Sequence, residues 1–330
     1  MIENLFRPQF DRLESSDKLW LMRTLAARHG LTFREICEFS RWGQSCTTGV
    51  FEKCGREFVF VPGDTITLGW ERFAVGMNQE STAELDEVFS EWGIDCTPEE
   101  FIGESMAPVR QVTVGPMFVG RRLEEIGWES ASMDDPRITA HPEWLESLQR
   151  WADKGGRSLE ISQTVRFERD GGGWHAWLCH PTTYQKFRLS LLWEVMATLP
   201  TPDEWAYLCG GGCRTLFPWG DGLDYSMHLH HFESEEDRGK PYDMEQANFF
   251  GLSIAYDPYK RELVDGETLT TCGGDGGRNI CGGMGLLVGY LPCSPHCRPE
   301  VRDDDVINND FDFFRPVIRV LTSGWRTVSP

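Results

Sequence analysis

The sequence of 330 residues has no long apolar run, no surplus of basic residues and no glycosylation acceptor, and each absence excludes a class of function. No stretch of about 18 apolar residues occurs, so no membrane-spanning helix is expected. The most apolar run, "LSLLWEVMATL", is interrupted by Glu194 and reads as a buried helix. The opening "MIENLFRPQFDRLE" lacks a basic start followed by an apolar stretch, so no secretory leader is expected and the reading is cytoplasmic. Asn-x-Ser/Thr is missing throughout. Lys and Arg number 32 against 52 Asp and Glu, a formal charge of −20. Such a surface repels nucleic-acid phosphates and anionic membranes, so neither is an expected partner.

Other residue types are plentiful. Thirteen Trp and 20 Phe predict an aromatic core, and 34 Gly with 18 Pro predict many turns. The 11 cysteines are an odd number, so at least one is unpaired within the chain. Without an export signal they read as reduced thiols.

Hydrophobic spacing gives a coarse map. Ser16 and Asp17 cap a helix over "KLWLMRTLAARH", with Gly30 as its C-cap. Thr32 and Glu35 resemble a capping box for a second helix, "FREICEFSR", so residues 1–55 read as a helical appendage. "EFVFVPGDTITLGW" reads as a hairpin turning at Pro62-Gly63-Asp64. Residues 79–106 are acidic and read as loop with a short helix. "APVRQVTVGPMFVGRR" reads as strand, "HPEWLESLQRWADKGG" as helix, and "SLEISQTVRFERDGGGWHAWLC" as a hairpin turning at its glycines. "TYQKFRLSLLWEVMATL" and "TPDEWAYLCGGG" read as helices, and "FFRPVIRVLTS" as a terminal strand. Few helices among many loops and strands make an α+β pattern, not alternating βαβ units.

Several of these segments resemble, in order, the formylglycine-generating enzyme or sulfatase-modifying-factor family. "FVFVPGDTITLG" is similar to its opening strand, and "APVRQVTVGPMFVGRR" to a later one. "LPTPDEWAYLCGGG" followed by "LFPWGD" resembles its Leu-Pro-Thr, Glu-Trp and Pro-Trp-Gly elements. "ANFFGLSIAYDPYKRELVDG" and "FFRPVIRV" match two further segments. The resemblance runs from about residue 56 to 321 and implies a loop-rich fold related to C-type lectins over residues 56–330, with insertions near 79–106 and 129–178. Pro200 and Pro202 suit a helix start, Asp203 and Glu204 its positive end, and Trp205 and Trp219 anchor loops.

In catalytic members of that family, two cysteines with four residues between them bind copper and oxidise a substrate cysteine with oxygen. This sequence departs there. It carries Cys272-Gly273-Gly274-Asp275, then Cys281, then Cys293 and Cys297, with no Cys-x4-Cys pair. Thr198 stands where the family has arginine, and Glu262 alone remains of its Gly-Asn-Val-x-Glu-Trp segment. By order in the chain, Cys281 with Cys293 or Cys297 are the catalytic candidates.

Other clusters suggest metals. Cys209, Cys213, Cys293 and Cys297 form two Cys-x3-Cys pairs whose sulfurs suit zinc or copper. His228, His230 and His231 precede Glu233 and Glu235 and share divalent-ion chemistry. Asp303, Asp305, Asn308 and Asp310 offer oxygens to calcium, though without the spacing of a helix–loop–helix calcium loop. "GGDGGRNICGGMG" lacks the Lys-Ser/Thr ending of a phosphate loop. The reading is a divergent member of this family acting as a binding scaffold for a protein, peptide or small molecule. The alternatives are a copper- and thiol-dependent oxidase acting on a sulfur substrate, and a zinc-stabilised structural protein.

Overall fold

The computed structural model describes residues 2–229 and 240–320. Its first long element is α1 (Ser15–His29), closed as the spacing predicts by Gly30 in the left-handed region at φ 66°. The next segment is not a second helix. It is strand β1 (Thr32–Arg41), which turns through Trp42 and Gly43 into β2 (Gln44–Lys53). Both turn residues have positive φ, as a two-residue hairpin loop favours. A register shift between Phe33 and Glu35 breaks the period-two alternation. Phe33, Ile36 and Cys37 are left at spacings that imitate a helix. Residues 1–55 are therefore not a helical appendage, because their hairpin supplies two strands of a five-stranded sheet.

β3 (Arg56–Val61) and β4 (Asp64–Leu68) do not pair with each other as a hairpin. β3 pairs with β2, whereas β4 pairs with β5 (Arg110–Val114). The turn between them carries the chain from one sheet to another. Gly63 is pinned there, its N–H donating to the Leu5 carbonyl at 2.9 Å while its own carbonyl accepts from Arg7 N–H at 2.8 Å. Between β4 and β5 lie α2 (Gln79–Trp92) and α3 (Pro98–Gly103), more helix than the acidic composition predicts. β6 (Met117–Gly120) then returns to β3. Phe51, Phe58, Phe60 and Phe118 are fully buried on this sheet, with Phe51 and Phe118 edge to face at 4.9 Å. Each such ring stabilises the fold by about 1.5–3 kcal/mol.

The chain continues through β7 (Glu124–Glu125), β8 (Trp128–Ala131), α4 (Pro136–Thr139), α5 (Pro142–Ala152), β9 (Ser158–Ile161), β10 (Val165–Asp170) and β11 (Gly173–Cys179). Strands 8 to 11 form an antiparallel sheet in the order β8-β11-β10-β9. They share a core with the two helices, built from Ile138, Leu148, Val165, Phe167, Ala176 and Leu178 and distinct from the main one. The β10–β11 hairpin turns at the glycine run as expected.

α6 (Tyr184–Val195) and α7 (Pro202–Gly210) follow. α6 is not the buried helix its composition predicts. Tyr184, Leu191 and Val195 reach the core, but Leu189, Leu192, Trp193 and Met196 face outward. Beyond them come β12 (Arg261–Val264), β13 (Thr270–Cys272), α8 (Arg278–Cys281), α9 (Gly285–Tyr290), β14 (Glu300–Val301), β15 (Asp312–Phe314) and β16 (Val317–Arg319). A second five-stranded sheet runs β14-β13-β12-β15-β7. Pro316 divides the expected terminal strand in two: β15 belongs to this second sheet, and β16 closes the first by placing Val317 opposite Val119 of β6. The remainder of that expected strand lies outside the described residues. The architecture is α+β, of antiparallel sheets and long loops.

Candidate functional site

α7 is the backbone support of the site. Thr201 and Glu204 form a reciprocal capping box, with Thr201 N–H donating to Glu204 Oε2 at 2.7 Å and Glu204 N–H to Thr201 Oγ1 at 3.2 Å. Arg319 from β16 forks onto the same carboxylate at 2.7 and 2.6 Å. At the other end Gly211 takes φ 59°, where an added Cβ would strike the Phe249 ring. The Pro-Trp-Gly turn beyond is held by its aromatic residues. Trp219 stacks on Phe217 at 4.8 Å and donates its Nε1–H to the Gly222 carbonyl at 3.0 Å. Asp221, nearly inaccessible, accepts from the N–H groups of Val75, Gly76 and Leu216. Glu262 belongs to the frame too. It pairs at 2.9 Å with Arg315, and both side chains are buried.

An open cleft of about 280 Å³ lies beside this frame. The strand end at Cys272 and the loop of Gly273, Gly274 and Asp275 make one wall; Cys297 and Arg298 make the facing one. Glu104 and Ser105, just past α3, complete the rim. Gly274 has to be glycine, since a Cβ there would lie 2.5 Å from the Lys260 carbonyl oxygen and 2.7 Å from that of Pro258. Asp275 accepts from the N–H groups of Arg278 at 2.8 Å and Asn279 at 3.1 Å. Burial nevertheless raises its pKa. Arg278 reaches across to Glu300 at 2.7 Å. Thr271, only 1% exposed, lines the cleft with its hydroxyl oxygen buried and without a protein partner. Behind the thiols a cavity of about 20 Å³ is walled by Cys272, Cys297, Trp205 and Pro202.

The expected cysteines are divided among different surroundings. Cys281 is exposed on α8, with its sulfur 3.1 Å from the Tyr259 hydroxyl. Cys293 is buried and donates to the Gly273 carbonyl at 2.8 Å, and Cys209 donates to the Cys293 carbonyl at 3.7 Å. Cys213 approaches Nε2 of His296 at 3.9 Å. Cys297 faces the cleft, and its neighbour there is Cys272, which the spacing of the other cysteines does not single out. The clue in sequence is position: Cys272 directly precedes Gly273-Gly274. All eleven thiols are free. Burial pushes Cys297 and Cys213 up to about 12, and raises Cys272, Cys293 and Cys209 well above an ordinary thiol. His296 is driven the other way by burial, down to about 4, and its Nε2–H donates to the Thr215 carbonyl at 3.0 Å. Cys213 and His296 are therefore a neutral pair, not thiolate and imidazolium.

No group of three or more His, Cys, Asp or Glu side chains converges as metal ligands among the described residues. Zinc, which takes four ligands in structural sites, does not fit Cys209, Cys213, Cys293 and Cys297 as they stand. The acidic loop is likewise committed to the fold. Asp305 accepts from Gln185 N–H at 3.3 Å, Asn308 from Asp310 N–H at 3.0 Å, and Asp310 from Ser162 at 2.9 Å, while Asp303 is exposed. These oxygens do not form a calcium cage. His228 lies 3.1 Å from the Pro241 carbonyl oxygen, and its proposed companions His230, His231, Glu233 and Glu235 lie outside the described residues. Compared with known proteins, the chain matches no family model and no curated sequence.

Proposed function

We propose that this chain is a divergent domain of the sulfatase-modifying-factor type whose cleft binds a ligand without turning it over. The observation that carries this reading is the state of the two cleft thiols. Burial pushes Cys297 up to about 12 and Cys272 well above the ordinary range, which disfavours the free thiolate that nucleophilic chemistry needs. The walls meanwhile offer recognition groups: the Arg278–Glu300 pair and the close-packed Gly273-Gly274 backbone. A peptide, a protein segment or a polar small molecule suits them.

A second reading, a copper- and thiol-dependent oxidase, is favoured by one observation: Cys272 and Cys297 line the same cleft. Two sulfurs suit Cu⁺, and these two residues would hold it once deprotonated. When bound, copper supplies one-electron chemistry with oxygen. The two readings separate in an oxygen electrode with Cu⁺ and a cysteine-containing peptide. No oxygen uptake is expected. Uptake that disappears in Cys272→Ser and in Cys297→Ser would establish the oxidase instead. In parallel, calorimetric titration of a mixed peptide library should show binding that Arg278→Ala weakens about tenfold, the scale of one lost charge-assisted hydrogen bond.

A further inference from the structure

α6 presents an apolar stripe that nothing in the described structure covers. Leu189, Leu192, Trp193 and Met196 are 57%, 46%, 80% and 72% exposed. Their spacing of i, i+3, i+4 and i+7 places them on one face. The exposed apolar area is on the order of 500 Å², at the upper end for a surface without a partner. A groove of about 240 Å³ runs along it, floored by Leu189, Leu192 and Leu199. The rim is acidic. Glu194 is exposed on the helix itself, and Gln185 donates to the Glu267 carbonyl at 3.1 Å, bringing that exposed residue alongside. Asp305 accepts from Gln185 N–H at the helix start, next to exposed Asp303 and Asp304. The arginines nearby are paired, Arg188 with Asp265, Arg302 with Asp304 and Arg319 with Glu204, and Lys186 is a further cation on the helix, so Glu194, Glu267, Asp303 and Asp305 leave the rim acidic.

We infer that this face docks an amphipathic helix of a partner polypeptide, one that carries lysine or arginine beside an apolar stripe. The apolar stripe supplies contact area, and the acidic rim selects basic flanks. A second copy of this chain fits less well, because each copy brings a charge of −20 and the same acidic rim. An anionic bilayer meets the same repulsion.

The test uses a fluorescent leucine–lysine amphipathic peptide of about 18 residues and the full chain. Anisotropy should show saturable binding, and Leu192→Ser with Trp193→Ser should weaken it about tenfold or more, although net charge is unchanged. Trp20→Ser, which removes an exposed aromatic side chain of α1, should leave it unaltered. The double variant should melt with the wild type, since both side chains already face solvent. Equal binding by wild type and double variant would overturn the inference, because the contact would then be charge alone. Sedimentation as a dimer that the double variant breaks would overturn it in favour of self-association. Flotation of the wild type but not the variant with phosphatidylcholine–phosphatidylserine vesicles would overturn it in favour of a membrane.

Discussion

α6 and α7 are successive helices, each begun by a threonine N-cap and each carrying one Trp among apolar residues. Their fates differ. Every residue of α7 from Glu204 to its end is buried, whereas α6 buries Tyr184, Leu191 and Val195 and turns Trp193 to solvent. The difference lies in what surrounds them. α7 packs on β4 and β5, clamped by Arg319 of β16 at its start and by Gly211 against Phe249 at its end. α6 lies over one side of the fold only. A helix's apolar content thus does not say how many of its faces find a partner within the chain.

The sharpest way to break this comparison is to truncate one tryptophan in each helix. Trp205→Ala should cost about 3–5 kcal/mol, the scale of a large buried ring removed from a packed core. Trp193→Ala should stay within about 0.5 kcal/mol, as exposed substitutions do. Chemical denaturation of both variants measures the contrast, and equal losses would mean that α6 is packed after all. A smaller difference concerns pH. His296, near Cys213 past the end of α7, has its folded pKa depressed by burial to about 4, whereas an unfolded histidine titrates near ~6.5. Its contribution is therefore complete above pH ~6.5 and is lost as pH falls toward 4, about 3 kcal/mol in all. Urea melts across that window should show the slope, and His296→Gln should flatten it. The smallest effect is at the caps. Thr201→Ala should cost about 1 kcal/mol, while Thr183→Ala, whose capping contact to Lys186 N–H is a long 3.5 Å, should cost half of that or less.

The local signals of α7 were legible in its residues, because Thr201, Pro202 and Glu204 act within its first turn and Gly211 acts on its last. The same holds for Gly30 at the end of α1 and for the glycine turn of the β10–β11 hairpin. What depends on distant partners was not legible. β1 is a strand because β2 pairs with it, and its bulge hides the alternation. β3 and β4 look like a hairpin, yet each belongs to another sheet. Cys272 and Cys297 gain their common role from a cleft that also needs Glu104 and Ser105 from far earlier in the chain. Cysteine spacing carries no trace of that meeting.

The pairing of Val317 with Val119 also governs the order in which the molecule is completed. During synthesis, β3 and β6 lie beside each other long before β16 exists, because about 200 residues separate the two partners. Until then β6 presents an open row of backbone donors and acceptors beside a core of phenylalanines. A nascent chain in that state is a template for strand addition by its neighbours on a polysome. Closure is also slow on grounds of loop length alone. The yield of soluble protein should therefore depend on how long ribosomes dwell between the codons for β6 and β16, and on chaperones that shield an edge.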